Sequence, residues 1–185
     1  MLIDRKREKL IQAIIYFAQH TNKLGKTKLL KLLYHLDFQH FQKYGVSVTG
    51  LKYHAWPMGP VQVDLFEQLD NLKSAPDLKE AIILKPVTDQ FTQIIAKKPF
   101  NEKRFSINQF KLMQEIAFVF KDATADQMVK STHMPNDPWD VTYNKRGAKQ
   151  QEIDYLLALD NPDSISSEIA IERQAEVKDT ISMFL

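Results

Sequence analysis

One helix with apolar side chains around most of its circumference constrains the fold more than any other feature of this sequence. From Lys28 onward, helical spacing connects Leu29, Leu32, Leu33, Leu36 and Phe41, while Leu30, Tyr34 and Phe38 widen the apolar arc. A helix that is apolar on most sides is buried on most sides, so we expect it to be the central helix of the domain. Gly45 is expected to end it, because glycine tolerates the left-handed conformation common at helix C-termini.

An extended segment and a turn follow the central helix. Apolar residues at positions 46, 48, 51, 53 and 56 predict a short strand, broken by Gly50. Gly59-Pro60 then closes the segment. We expect Pro60 to occupy the first position of the next helix, where its missing N–H costs nothing.

A first helix is predicted before the central helix, and a third helix is predicted after Gly59-Pro60. Asp4 is expected to cap a first helix that runs to about His20, and residues 21–25 form a short turn into the central helix. A third helix should end before Ala75-Pro76, because the residue before a proline is disfavoured in the helical conformation.

Residues 81–105 carry a different pattern, which resembles a β-hairpin. Two apolar arms flank the polar residues 88–90, and Pro86 demotes the first arm to an edge or bulged strand. Because a two-stranded hairpin is marginally stable alone, we expect it to pair with the strand near Leu51–Trp56.

The second half of the chain is predicted to be helical again. Capping-box patterns at Ser106/Gln109 and Thr124/Gln127 predict two helix starts, and the prolines at 135 and 138 predict a break. Further helices are expected around residues 152–159 and from about 164, separated by Asn161-Pro162-Asp163. The fold class is therefore α+β and mainly α-helical: a helical bundle with a small antiparallel sheet made of the hairpin and one strand. We expect a domain over residues 1–159 and a C-terminal helical extension over 160–185.

The C-terminal helix has a narrow apolar stripe behind an acidic surface. The stripe comprises Ile165, Ile169, Val177, Ile181 and Phe184. A helix of this kind suits docking in a groove, and the groove could belong to its own domain or to a partner.

The sequence argues against a standard enzyme. His35 and His40 are five residues apart, so they do not share a helix face as a metal pair at i and i+4 would, and we predict no metal. Ser131 lies two residues from His133, but no recognisable nucleophile and base arrangement surrounds them. There is no cysteine and no glycine-rich phosphate loop, so no cofactor and no catalytic residue is predicted.

Charge is distributed unevenly along the chain. Residues 1–31 hold eight basic and two acidic residues, a net charge of +6, whereas residues 150–185 hold two basic and eight acidic residues, a net charge of −6. We favour solvated faces at two ends that lie near each other, although DNA binding by an autorepressor is an alternative. No helix-turn-helix signature supports nucleic-acid binding. No apolar run is long enough to cross a bilayer, and we expect a cytoplasmic protein.

Both tryptophans, Trp56 and Trp139, have two interpretations. Large aromatic residues with a polar N–H are enriched in binding hot spots as well as at the edges of cores. Core packing is the simpler interpretation, and the sequence alone leaves both open.

Two motifs in order give this chain a family resemblance. The first is K-L-x-K-L-L-Y-x-x-D from Lys28 to Asp37, followed by Gly45 and then by A-W-x-x-G-P-V from Ala55 to Val61. The second is a Ser-His element, here Ser131-Thr132-His133 with one extra residue between Ser and His, followed by Pro138-Trp139. Over about residues 8 to 140 the sequence resembles the Panacea domain, the SocA-like antitoxin family of bacterial and phage toxin–antitoxin modules.

This resemblance implies a protein that binds and neutralises a cognate toxin, and it implies a binding activity without catalysis. Delivery of the toxin to a protease or its unfoldase is a second mode in the family. A phage-associated protein with an unrecognised catalytic site remains an alternative, and the sequence leaves the oligomeric state open. The candidate partner-binding residues are Tyr34, His35, Asp37, Trp56, Gly59, Pro60, His133 and Trp139.

Overall fold

The central helix lies where the sequence predicts it. A computed structural model describes residues 2–160 and 163–182, and its helix α2 spans Lys26–Tyr44. Leu29, Leu32, Leu33 and Leu36 are fully buried in the main core. Gly45 ends the helix with a φ of 70°, and its N–H donates to the Phe41 carbonyl at 2.7 Å. The predictions of a buried central helix and a glycine cap are confirmed.

Helix α1, Leu2–His20, supplies a second wall of the core. Ala13, Ile14, Ile15 and Phe17 are fully buried in the same cluster as the leucines of α2. The helix begins at Leu2, so the predicted cap at Asp4 is wrong, since Asp4 already lies inside the first turn.

The segment after α2 is less extended than predicted. Strands β1 (His54–Trp56) and β2 (Gly59–Val61) form a two-stranded antiparallel sheet, and helix α3 spans Val63–Asp70. Pro60 therefore lies in a strand, and its predicted place at a helix start is wrong. The side chain of Gln62 caps α3 instead by accepting from the Leu65 N–H. Residues 46–52 form no strand, because two of their N–H groups bind the Asp37 carboxylate.

The hairpin predicted between residues 81 and 105 forms, but within the described ranges its two strands pair only with each other. Helix α4 spans Pro76–Ala81, and the antiparallel strands β3 (Ile82–Thr88) and β4 (Phe91–Ala96) make a second, separate sheet. The expected pairing with the Leu51–Trp56 segment is wrong. The hairpin is anchored by packing instead, since Ile82 and Ile94 are buried and the Ile94 N–H donates to the Leu24 carbonyl at 2.7 Å.

Both capping boxes are confirmed. Helix α5 spans Ile107–Val119 behind Ser106 and Gln109, and helix α6 spans Ala125–Ser131 behind Thr124 and Gln127. A short helix α7, Pro138–Asp140, continues into a π-helical turn, Val141–Lys145.

The helix predicted around residues 152–159 is a short 3₁₀ turn, Tyr155–Leu159. The residues before it run alongside β1: the Ala55 N–H donates to the Gln151 carbonyl at 2.9 Å, and the Ile153 N–H donates to the Tyr53 carbonyl at 2.7 Å. These bonds hold Gln151 and Ile153 beside β1 and Tyr53, so the prediction of an α-helix that begins near residue 152 is wrong.

Helix α8, Ser167–Ser182, lies against the end of α2. Ala170 is 0% exposed, and the guanidinium of Arg173 donates to the Tyr44 carbonyl at 2.7 Å. The covered face runs through Ala170, Gln174 and Val177, whereas Ile169 of the predicted stripe is 42% exposed. Asn161, Pro162, Phe184 and the side chain of Ile181 lie outside the described part of the chain.

The architecture is α+β and mainly helical, as predicted, with eight α-helices and two small antiparallel sheets among the described residues. Within the same residues, no helix combines the length and the apolar character needed to span a membrane.

Candidate functional site

Most of the candidate residues meet at one junction, where α2 faces the β1–β2 hairpin and residues 131–139. We call Lys31, Tyr34, His35, Trp56, Gly59, Pro60, His133 and Trp139 the motif cluster. At its centre, the Lys31 ammonium donates to the Pro60 carbonyl at 2.8 Å. Gly59 has a φ of 100°, and a Cβ added there would lie 2.9 Å from both Lys31 Nζ and Thr132 Oγ1. Only glycine fits both this backbone conformation and this close approach.

Lys31 is a buried cation without a carboxylate partner in the described part of the chain. Its side chain is 1% exposed, and the Pro60 carbonyl is its hydrogen-bond partner. Burial lowers the pKa of Lys31 to about 7 from its ordinary value of 10.5. The amine is therefore partly neutral near neutral pH.

Because Lys31 is buried, we predict that the unfolding free energy depends on pH, and that Lys31→Met weakens this dependence. Between pH 7 and 10.5 the unfolded chain holds a proton that the folded chain has released, so stability rises with pH across that window. Below pH 7 the full cost of burying the charge is present. From pH 7 to 9 the lysine should contribute about 2 kcal/mol of increase, which Lys31→Met should remove. Denaturant unfolding of both proteins at pH 7, 8 and 9 measures this difference, and equal slopes would contradict it.

His35 and Ser131 form a pair that sequence reasoning did not anticipate. The His35 Nε2 lies 2.8 Å from the Ser131 Oγ, and the Ser131 hydroxyl also donates to the Met128 carbonyl at 2.8 Å. Because a hydroxyl has one proton, His35 must donate Nε2–H to Ser131. Burial, with a smaller contribution from the Lys31 charge, lowers the pKa of His35 to about 4. A neutral histidine that donates to a serine does not activate it as a nucleophile.

His133 and Trp139 stack with their ring centroids 3.7 Å apart, and Tyr143 stacks on Trp139 at 4.8 Å. The indole N–H of Trp139 donates to the backbone carbonyl of Trp56 at 2.9 Å. The ring of Trp56 packs on Phe66, with their centroids 5.4 Å apart. Both tryptophans therefore pack within the protein, and Trp139 joins the 131–139 segment to β1.

Asp37 faces a different part of the molecule from the motif cluster. Its carboxylate accepts from the N–H groups of Val48 and Thr49 at 2.8 and 2.7 Å, from the Thr49 hydroxyl, and from the Tyr53 hydroxyl at 2.9 Å. Burial raises the pKa of Asp37, although these hydrogen bonds oppose the increase. The carboxylate thus shapes the loop between α2 and β1.

Tyr34, a member of the motif cluster, packs against Phe38 and against Tyr53, whose hydroxyl binds Asp37. Its hydroxyl is buried with no hydrogen-bond partner of acceptable geometry among the described residues. Burial is the largest cause of the raised pKa of Tyr34, and the Asp137 charge raises it further. The backbone amide of Trp139 lowers this pKa.

The arrangement is suited to holding the backbone in place. Its polar groups bind backbone atoms and each other, and no group of three His, Cys, Asp or Glu residues in the described ranges could hold a metal ion. Partner binding by the eight candidate residues stays a prediction. Sequence reasoning missed the roles of Lys31 and Thr49; a lysine inside the wide apolar arc of α2 was the available signal for the first.

Comparisons with known proteins give one result. The family model described as "Antitoxin SocA-like, Panacea domain" matches residues 29–140, which is more than half of the chain and includes the motif cluster. No curated protein and no solved structure matches the sequence. The chain therefore belongs to the SocA-like antitoxin family with a Panacea domain.

Proposed function

We propose that this protein is an antitoxin that binds and neutralises a protein toxin encoded beside it. The family match over residues 29–140 is the observation that supports this proposal. The motif residues within that match tie α2 to the β1–β2 hairpin through Lys31 and tie the hairpin to Trp139, so they hold these elements together. An arrangement of this kind supports a binding function without substrate turnover.

Neutralisation by binding has two possible modes. In the first, the antitoxin covers or traps the toxin, so the affinity of the complex sets the effect. In the second, the antitoxin delivers the toxin to a protease or its unfoldase in the cytoplasm, so the toxin is lost. The proposal includes both modes, which differ in the amount of toxin that remains in the cell.

We predict that co-expression of this chain restores growth to cells that express the product of the neighbouring reading frame. The physical reason is a stable complex in which the toxin is inactive. Colony formation with the toxin alone, with the toxin and this chain, and with the toxin and an unrelated helical protein measures the effect. Equal toxicity in all three strains would contradict the proposed function.

The same strains distinguish the two modes. Occlusion predicts that toxin accumulates and co-purifies with this chain. Delivery predicts that its half-life shortens when this chain is present and recovers when the responsible protease is deleted.

A further inference from the structure

A basic groove beside the Asp37 loop has none of the motif-cluster residues in its lining. Its volume is about 890 Å³. Its walls are the first turns of α1, the loop between α2 and β1, the turn before α5, and α8. The lining therefore comes from the family domain and from helices α1 and α8 on either side of it in the sequence.

Seven cations and two anions line this groove. The cations are Arg5, Lys6, Lys9, Lys52, Lys103, Arg104 and Lys178, and the anions are Glu8 and Glu152. Glu152 pairs with Lys52 at 3.0 Å, and Glu8 pairs with Arg104 at 3.1 Å. The other five cations have no carboxylate partner among the described residues, which leaves a net charge of +5 on the lining.

Contacts within the groove hold some of these cations close together. Lys6 lies over Gly50, since a Cβ added at Gly50 would be 2.5 Å from Lys6 Cδ and 2.9 Å from Lys6 Nζ. Lys9 is partly buried, and its ammonium donates to the Gln109 side chain at 2.9 Å. Burial lowers the pKa of Lys9, and the charges of Lys6 and Arg5 lower it further. Repulsion between these like charges destabilises the free protein, and an anionic partner would reduce that repulsion.

Between the charged walls, the groove offers half-buried apolar side chains. Val46 and Leu51 come from the loop after α2, and Val177 comes from α8. The groove therefore combines charged and apolar side chains, as protein interfaces do.

We propose that this groove binds an acidic, partly apolar segment of the toxin. The inference rests on the proposed function, and it names the chemistry of the partner. Carboxylates of the segment would meet the five unpaired cations, while its apolar side chains cover Val46, Leu51 and Val177. A phosphate backbone would satisfy the cations but offers no apolar side chain to cover Val46, Leu51 and Val177, so we favour a protein segment over nucleic acid.

The test compares two doubly substituted proteins of equal net charge. Lys6→Glu/Lys103→Glu alters the groove. Lys85→Glu/Lys111→Glu alters two exposed lysines that do not line it. Thermal unfolding first verifies that both variants fold as the wild type does. Binding is then measured to two expected ligands: the purified toxin, and a labelled acidic peptide of about 14 residues with leucines among its glutamates. Two controls are the same peptide with lysine in place of glutamate and a random-sequence DNA duplex.

We expect the groove variant to bind the toxin and the acidic peptide at least about tenfold more weakly than wild type, with the control variant within about twofold. Wild-type affinity for both should also fall as salt increases. Equal binding by the two variants would overturn the inference, as would groove-dependent binding of DNA that is tighter than binding of the peptide.

The peptide separates this inference from the proposed function. If the wild type fails to neutralise the toxin yet binds the acidic peptide through the groove, the proposed function is wrong and the toxin is not the occupant, whereas the specificity of the groove for an acidic, partly apolar protein segment stands. If the toxin is neutralised equally by both variants and the peptide does not bind, the groove assignment is wrong and the antitoxin function stands.

Discussion

Replacing Asp37 with alanine should destabilise the protein by about 4 kcal/mol. The substitution removes the acceptor for two backbone N–H groups and two hydroxyl groups, and it leaves buried donors of Val48 and Thr49 without a partner. Because folded domains are stable by only about 5–15 kcal/mol, this loss is a large share of the total. Denaturant unfolding of the variant and wild type at pH 7 measures it.

Asp37→Asn is the matched control for this prediction. The asparagine keeps the shape and one oxygen that can accept from both N–H groups, but its amide nitrogen cannot accept from the hydroxyls of Thr49 and Tyr53. We expect about half the loss seen with alanine. If alanine and asparagine destabilise the protein equally by less than about 1 kcal/mol, the carboxylate does not organise the loop as the structure indicates.

Gly59→Ala should destabilise the protein by about 3 kcal/mol or more. The new Cβ would lie 2.9 Å from Lys31 Cε, Lys31 Nζ and Thr132 Oγ1, at a backbone φ that residues with a side chain rarely adopt. Either the lysine moves and loses its bond to the Pro60 carbonyl, or the hairpin moves away from α2. The change in thermal midpoint and in unfolding free energy measures the effect.

Gly147→Ala measures the cost of a positive φ without a close contact. Gly147 also has a positive φ, of 63°, but none of the described residues comes within 4 Å of the added Cβ. This control should lose only about 1 kcal/mol through backbone strain. Similar losses at the two positions would show that the contact with Lys31 carries no extra cost.

Local patterns were sufficient to predict the helices that begin and end on short-range signals. The apolar arc of α2, its Gly45 cap and the capping boxes at Ser106 and Thr124 each depend on residues within one or two turns. These features were correct for that reason.

The errors came from bonds between distant parts of the chain. Asp37 binds a loop eleven and twelve residues away, which prevents a strand there, and Ile153 binds the Tyr53 carbonyl, which prevents a helix. Neither bond leaves a local pattern. The two separate sheets were missed for a related reason, because the stability of the β3–β4 hairpin comes from packing on the core.

The sequence predicted most of the residues of the candidate site but not the contacts that connect them. The motif residues do meet around Trp139 and Gly59, but the only signal for the part that Lys31 plays is its position inside the apolar arc of α2, which does not identify the Pro60 carbonyl as its partner. A lysine is ordinarily read as exposed, and its burial depends on a carbonyl 29 residues away.

The contact between Gly45 and Ala170 limits which C-terminal helices could be joined to this domain by recombination. A Cβ at position 45 would lie 3.0 Å from the Cα of Ala170, so the last helix meets the end of α2 at main-chain distance. A tail recombined from a relative would seat here only if it carried a comparably small residue at this point. A bulkier one would hold the tail off the domain and widen the groove beside it. One pair of small residues thus restricts which tails are interchangeable.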